Sequence, residues 1–248
     1  GVMFMVIISQ KRIKIILSCI LISLFVFSMH IAKKENELDT NNKTSEVTAT
    51  PVSGKTVILD AGHGLPDAGA ESKNGTTEEE INLKIVLKTQ KLLEQSGCNV
   101  LLTRSDDEAI YDLDSKTLRQ KKVSDIKNRV KIGNESSADI FVSVHLNKIP
   151  QSQYYGWQCF YNTKNEKSTD LAKSLQKNLN ESIQKENDRV AMKLDTVYLM
   201  KNVEIPISIV ECGFLSNPQE EKELQEDSYQ ERLAWGIYNG IMDYFYNN

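Results

Sequence analysis

The sequence predicts an α/β fold: a single domain with a mostly parallel central sheet flanked by helices on both faces, preceded by an N-terminal signal or anchor helix. Three observations predict it. From Lys55 onwards, short apolar runs alternate with amphipathic stretches of about ten or more residues, a pattern typical of strands joined by helices. The composition, 40% hydrophobic and 26% charged, is that of a globular protein. About 195 residues follow residue 53, which is enough chain for one substantial core.

The first 33 residues differ in composition from the rest of the chain. A basic stretch at 11–14 precedes an uncharged apolar run of 18 residues at 15–32. This order is typical of a signal peptide or a membrane anchor, and a buried core helix is the alternative. The run lacks a small-x-small cleavage site, which favours an uncleaved anchor. Because basic residues precede the run, we expect the rest of the chain to be exported, either held at the outer face of the cytoplasmic membrane or secreted.

Residues 34–53 are polar and lack periodicity, so they predict a linker between the segment 1–33 and a domain at 54–248.

The charge and the cysteine content of the sequence argue against two kinds of binding site. The formal net charge of −4 argues against a broad basic surface, so no nucleic-acid partner is expected. The cysteines have no C-x-x-C spacing and indicate no cysteine zinc site. Cys98, Cys159 and Cys212 lie in or beside strand-like runs, which favours small buried hydrophobic residues.

The elements of the domain follow from the spacing of its apolar residues. Strands are predicted for 55–62, 98–104, 138–147, 156–162 and 207–218. Helices are predicted for 76–97, 118–136, 168–185, 220–225 and 229–247. The stretch 197–202 is interpreted as a short strand or loop. Thr77 followed by Glu80 predicts a capping box at the start of the first helix, and Gly97 predicts its end.

Ionisable side chains stand where predicted strands end. His63 ends the first strand, His145 ends the third, and Glu211 follows the apolar part of the last. Glu78 lies in the first turn of the helix that follows His63. In open α/β sheets, functional sites form beyond the carboxyl ends of the strands. We therefore expect these four side chains to converge on one face of the domain.

His63, Glu78 and His145 have the composition of a catalytic zinc site. Zinc binds neutral imidazole and carboxylate, and a catalytic site uses three protein ligands and leaves one position open. Gly62 and Gly64 would allow a sharp turn around the first histidine and an open approach to the metal. The fourth side chain, a carboxylate, would accept a proton from the attacking water.

Each of these residues also has a structural interpretation. A histidine at a strand end is commonly a hydrogen-bonded loop residue. Glu78 belongs to the sequence TTEEE, where acidic residues suit the positive end of a helix dipole. Glu211 fits a buried structural pair equally well. Taken alone, the spacing leaves the metal site and these alternatives open.

Four motifs around these residues resemble the zinc-dependent N-acetylmuramoyl-L-alanine amidases of the amidase 3 family. They are LDAGHGLPDAGA, NGTTEEEINL, SADIFVSVHLN and IVECGFLSNPQEEKEL, and the resemblance covers 54–248. It implies one Zn²⁺ held by His63, Glu78 and His145, with Glu211 as the catalytic residue. The implied reaction is hydrolysis of the amide bond between N-acetylmuramic acid and L-alanine in peptidoglycan. Two positions depart from the usual pattern: Ala61 replaces a proline, and Cys212 replaces an aliphatic residue.

A narrower resemblance points to the spore-cortex, germination-specific branch of the family, the CwlD amidases. It is carried by VKIGNESSADIFVSVHLNKIPQSQYYGWQCFYN, by VYLMKNV and by the short N-terminal apolar run. It implies that stem peptides are removed from glycan strands of the cortex as a step towards muramic-δ-lactam. A polysaccharide deacetylase would act in the same pathway, and the enzyme would work in the forespore intermembrane space. An accessory exported protein or lipoprotein is a further partner that this class allows.

Two other functions remain open at this point. A zinc peptidase acting on stem peptides would use the same ligands. A domain that binds the cell wall or a partner, and needs an accessory protein for activity, would keep the fold without turnover. The intact ligand set and Glu211 argue against the second.

Three further features have two interpretations each. Arg104 is expected to pair with Asp106, and a substrate carboxylate is the alternative. The aromatic stretch 154–157 suits either a glycan groove or the core. The basic residues of the second helix predict a solvated face. They are Lys121, Lys122, Lys127, Arg129 and Lys131.

Overall fold

A computed structural model of the protein describes residues 27–28 and 49–248. The predicted anchor therefore lies outside the described residues, except for 27 and 28, as does the linker up to residue 48. None of the described helices is long and apolar enough to cross a membrane. The compact unit of the described residues spans Ala49–Asn248, and Val52, at the end of the predicted linker, is fully buried in its core.

The described residues form strands and helices in the predicted alternation. The strands are β1 (Thr56–Ala61), β2 (Asn99–Leu102), β3 (Ile140–Asn147), β4 (Gln158–Tyr161), β5 (Met192–Lys193) and β6 (Ile207–Phe214). The helices are α1 (Glu78–Gln95), α2 (Leu118–Glu135), α3 (Glu166–Ile183), α4 (Tyr198–Asn202), α5 (Pro218–Gln225) and α6 (Asp227–Asn247).

These strands form one sheet in the order β2-β1-β3-β6-β4-β5. The pairs β1–β2, β1–β3 and β3–β6 are parallel, whereas β4 runs antiparallel to β6 and β5 pairs with β4 in parallel. Since successive side chains of a strand point to opposite faces, apolar runs such as 57–59 contribute side chains to the hydrophobic cores on both faces of the sheet. The predicted α/β class with a mostly parallel sheet is confirmed.

Each face of the sheet is covered by helices. On one face, Leu59, Val142 and Val210 belong to a core that also contains buried residues of α1, α3 and α6. On the other face, Phe141 and Ile209 pack with residues of α2 and α4. His145 and Glu211 lie at the carboxyl end of this second face, because they follow the alternation of Phe141 and Ile209.

Two local predictions were wrong. The stretch 197–202 forms helix α4, because the adjacent Leu199 and Met200 are both buried in the second core, and packing overrides its strand-like composition. Thr77 is the N-cap of α1, but its hydroxyl oxygen accepts no capping hydrogen bond from the backbone, and the hydroxyl donates to Glu79. The prediction that Cys98, Cys159 and Cys212 are free, buried residues is confirmed.

Candidate metal centre

The two strand-end histidines meet the first residue of α1. His63 follows β1 by two positions, His145 lies in β3, and Glu78 begins α1. His63 Nε2 lies 3.3 Å from Glu78 Oε2, and His145 Nδ1 lies 2.9 Å from Glu78 Oε1. One ligand atom from each of the three residues falls within 4.8 Å of the others. The fold thus brings together two imidazoles and a carboxylate that are separated in sequence.

Two backbone donors also hold the Glu78 carboxylate. The N–H of Ala70 donates to Oε2 at 2.8 Å, and the N–H of Leu146 donates to Oε1 at 3.0 Å. Burial on its own would raise the pKa of Glu78, but hydrogen bonds with the two histidines hold that pKa far below its usual range. The carboxylate is therefore ionised at neutral pH and points at the imidazoles.

Asp67 orients His63. Its Oδ2 lies 3.0 Å from His63 Nδ1, and its Oδ1 accepts from Lys122 Nζ at 2.7 Å. A carboxylate on one ring nitrogen fixes the tautomer and leaves the other nitrogen, Nε2, to act as a ligand. Burial alone would lower the pKa of His63, but Asp67 and Glu78 raise it to about 9. The two carboxylates thus favour positive charge at this point, which fits a bound metal cation.

Glu211 adds a fourth group beside the histidines. It pairs with His145 across the parallel strands β3 and β6, so both side chains project from the same face. Its Oε2 is buried and has no hydrogen-bond partner among the described residues. Burial raises the pKa of Glu211 to about 7. A buried oxygen without a partner is costly, so this atom is suited to a water or substrate group held at the candidate metal centre.

Comparison with known proteins decides the family. The sequence profile described as N-acetylmuramoyl-L-alanine amidase matches residues 57–243. The chain belongs to this family. It is 36% identical to the germination-specific N-acetylmuramoyl-L-alanine amidase of Bacillus subtilis, over 83% of this chain and 86% of the relative. It is 30% identical to the amidase LytC of the same organism, over 83% of this chain and 38% of LytC.

A solved structure gives the same assignment. The CwlD amidase from Clostridioides difficile, determined in complex with the GerS lipoprotein, has a TM-score of 0.76 and 46% identity, covering 78% of this chain and 100% of that one. The resemblance to the amidase 3 family and to its germination-specific branch is confirmed. The predicted enzyme class, a peptidoglycan amidase, is confirmed as well.

The glycines of the first motif have different roles in this amidase. Gly64 has a φ of +143° and makes the turn after His63. Gly62 is needed for space, because a Cβ built there would lie 2.2 Å from Cε1 of His145. Gly62 therefore lets the ring of His145 pack directly against the backbone beside His63.

Replacing Gly62 with alanine is expected to lower zinc affinity and turnover together, since the new methyl group must displace the ring of His145. Zinc content after dialysis and initial rates on peptidoglycan measure both effects. Gly54→Ala is the control for general destabilisation: its Cβ would meet nothing within 4 Å, but the φ of +74° strains the backbone there, so stability should fall while metal content is kept. Wild-type zinc content in Gly62→Ala would show that the ring of His145 does not hold the metal in this position.

Two buried arginines hold the backbone of the amidase around His63. Arg104 donates from Nε to the carbonyl of Ala61 at 3.0 Å and from Nη2 to that of Gly62 at 3.2 Å. Arg129 donates from Nη1 to the Ala61 carbonyl at 2.8 Å and from Nη2 to that of His63. His63 has a φ of +64°, a strained value for a non-glycine residue, and these donors help to hold it there.

Both arginines correct the sequence-based interpretation. Arg104 contacts the backbone carbonyl of Asp106, not its carboxylate, and its buried position leaves no access to substrate. Arg129 is not on a solvated face: it is 2% exposed and forms ion pairs with Asp60 and Asp125. The spacing of Asp125 and Arg129, four residues apart on a helix, was the available signal for the second pair.

Replacing Arg129 with methionine is expected to lower the free energy of unfolding by about 3–5 kcal/mol, because it leaves the carboxylate of Asp60 buried without its charge partner. Denaturant unfolding monitored by circular dichroism measures the change. The matched control is Lys131→Met on the same helix, where the side chain is 65% exposed and should contribute less than about 1 kcal/mol. Equal stability of the two variants would contradict a structural role for the buried pair.

The aromatic stretch at 154–157 was interpreted as part of either a glycan groove or the core, and its residues differ in this respect. Trp157 is 1% exposed and donates from Nε1 to Asn180 at 2.7 Å, so it belongs to the core. Tyr154 and Tyr155 are 45% and 49% exposed and line an open cleft of the amidase.

Proposed function

We propose that this amidase hydrolyses the bond between N-acetylmuramic acid and L-alanine with one Zn²⁺ ion held by His63, Glu78 and His145. The observation that carries the proposal is the cluster of these three donors beside the buried, unpartnered oxygen of Glu211. The donor set has the composition of a catalytic zinc site, and the carboxylates around it favour a cation.

When bound, Zn²⁺ supplies Lewis acidity, which polarises the amide carbonyl and makes water a stronger acid. Glu211 accepts the proton of the attacking water at its free Oε2 and then gives it to the departing nitrogen of L-alanine. A pKa of about 7 suits both steps, because a group that must accept and release a proton works best near the operating pH. Asp67 holds the proton on Nδ1 of His63, so that Nε2 remains a ligand.

The substrate we propose is spore-cortex peptidoglycan, in which removal of stem peptides precedes formation of muramic-δ-lactam. Similarity to the germination-specific amidase of Bacillus subtilis and to CwlD supports this choice. A polysaccharide deacetylase would then act in the same pathway. The site of action would be the outer face of the cytoplasmic membrane, which in a spore former is the forespore intermembrane or cortex space.

We also propose an accessory lipoprotein as a partner. The support is the structure of CwlD from Clostridioides difficile, which was determined in complex with the GerS lipoprotein. An exported lipoprotein would share the compartment predicted for this chain.

The test is digestion of vegetative and cortex peptidoglycan by the purified protein, first with Zn²⁺ and then with a chelator, followed by mass spectrometry. Intact stem peptides that begin with L-alanine, produced only with the metal, are the expected result. Fragments cut within the stem peptide would instead indicate a peptidase. A zinc-loaded protein that releases nothing from either substrate would contradict the proposed activity, and restored release on addition of a lipoprotein would establish dependence on that partner.

A further inference from the structure

The row of polar side chains at the proposed site continues beyond Glu211. On the antiparallel neighbour β4, Gln158 lies directly opposite Glu211, so both side chains project from the same face of the sheet. Arg189 Nη1 donates to Gln158 Oε1 at 3.2 Å. The order across the face is therefore His145, Glu211, Gln158 and Arg189.

Arg189 is held in place by neutral groups. Its Nε donates to the backbone carbonyl of Tyr155 at 3.3 Å, and its Cζ lies 4.9 Å from the centre of the Phe214 ring. Among the described residues, no carboxylate lies within ion-pair distance of this guanidinium, and its Nη2 has no hydrogen-bond partner. Arg189 is thus a fixed, partly buried cation that has a free edge and no ion-pair partner in the described part of the chain.

This guanidinium lines the cleft that contains the exposed tyrosines. The cleft has a volume of about 310 Å³. Besides Arg189 it is lined by Gln153, Tyr154, Tyr155, Glu186, Asn187 and Asp188. Glu186 and Asp188 are exposed, so solvent screens their charge, whereas the guanidinium lies against the ring of Phe214.

We propose that Arg189 binds a carboxylate of the stem peptide and makes the enzyme selective for peptides that carry it. This proposal rests on the proposed function, because the scissile bond must lie at Glu211 for the peptide to extend over Gln158. The chemistry of the substrate decides which part Arg189 meets. The N-acetylated sugar rings are neutral, whereas the stem peptide carries free carboxylates, and a planar guanidinium binds a carboxylate through paired N–H donors.

The test is binding of the free stem peptide to the purified protein by calorimetry, compared with the same peptide after its carboxylates have been converted into amides. Wild-type protein is expected to bind the acid form at least about tenfold more tightly, since a hydrogen-bonded charge pair contributes about 1.5–3 kcal/mol. Arg189→Gln should bring this ratio close to one. Arg189→Lys keeps the charge but loses the planar pair of donors, so an intermediate ratio is expected.

Each ratio is measured within one variant, so a general loss of folded protein cancels. Lys193→Gln is the matched control, because it removes the same charge from a residue that already pairs with Asp195, and it should keep the wild-type ratio. A wild-type ratio near one, no binding of either peptide, or an unchanged ratio in Arg189→Gln would overturn the proposal. Binding requires no turnover, so failure of the proposed function appears separately, as missing stem peptides in the digestion.

Discussion

Replacing Glu211 with glutamine is expected to leave one Zn²⁺ bound and to lower kcat by about 10²–10⁴-fold, the range that general acid–base groups contribute. Glutamine has nearly the same shape but cannot accept the proton of water at its amide nitrogen. The proposed metal ligands do not include Glu211, so the metal should stay. Elemental analysis of the dialysed protein and initial rates on peptidoglycan measure the two quantities separately.

Glu220→Gln is the matched control for this prediction. Burial also raises the pKa of Glu220 to about 7, so a raised pKa alone does not distinguish the two residues. However, the oxygens of Glu220 accept hydrogen bonds from the backbone N–H groups of Gly156 and Phe214, at 2.8 and 2.7 Å. Glutamine there keeps one acceptor, so stability should fall while folded protein retains turnover. If Glu211→Gln instead turns over at the wild-type rate, the base is another residue.

The contrast between Glu211 and Glu220 also shows what sequence can and cannot predict here. Glu211 was predicted because it follows an apolar strand, and strand order places such residues at one edge of a parallel sheet. His63 and His145 were predicted for the same reason. Predicting these residues requires only the local apolar pattern, which a single sequence shows, and the general rule that sites in α/β folds form beyond the carboxyl ends of the strands.

Residues that act through tertiary contacts could not be found in this way. Arg129 reaches the backbone of His63 across 66 positions of sequence, and in the sequence it looks like one member of a basic helix face. Asp67 lies inside a recognised motif, but its role depends on which nitrogen of His63 it meets. Helix α4 was missed because a five-residue element is decided by what it packs against, not by its own composition. The folded structure adds the network that holds the proposed ligands in place.

Replacing His145 with alanine is expected to lower zinc affinity by more than about 100-fold and to abolish turnover. Loss of groups that only orient a ligand typically costs about 10–100-fold in affinity, so loss of a ligand itself should exceed that range. Asp67→Asn provides the comparison, because it keeps all three proposed ligands and disturbs only the group that orients His63. The expected order of zinc affinity is wild type, then Asp67→Asn, then His145→Ala.

A readout that does not depend on activity separates loss of metal from loss of fold. A ligand that binds the folded state stabilises it by an amount that grows with its concentration relative to Kd. Added Zn²⁺ should therefore raise the Tm of the wild-type protein strongly, that of Asp67→Asn less, and that of His145→Ala least. Stoichiometric zinc in His145→Ala, with a wild-type rise in Tm, would mean that a different set of residues holds the metal. The catalytic assignment of Glu211 would then lose its geometric basis, because it rests on the pairing of Glu211 with His145 across β3 and β6.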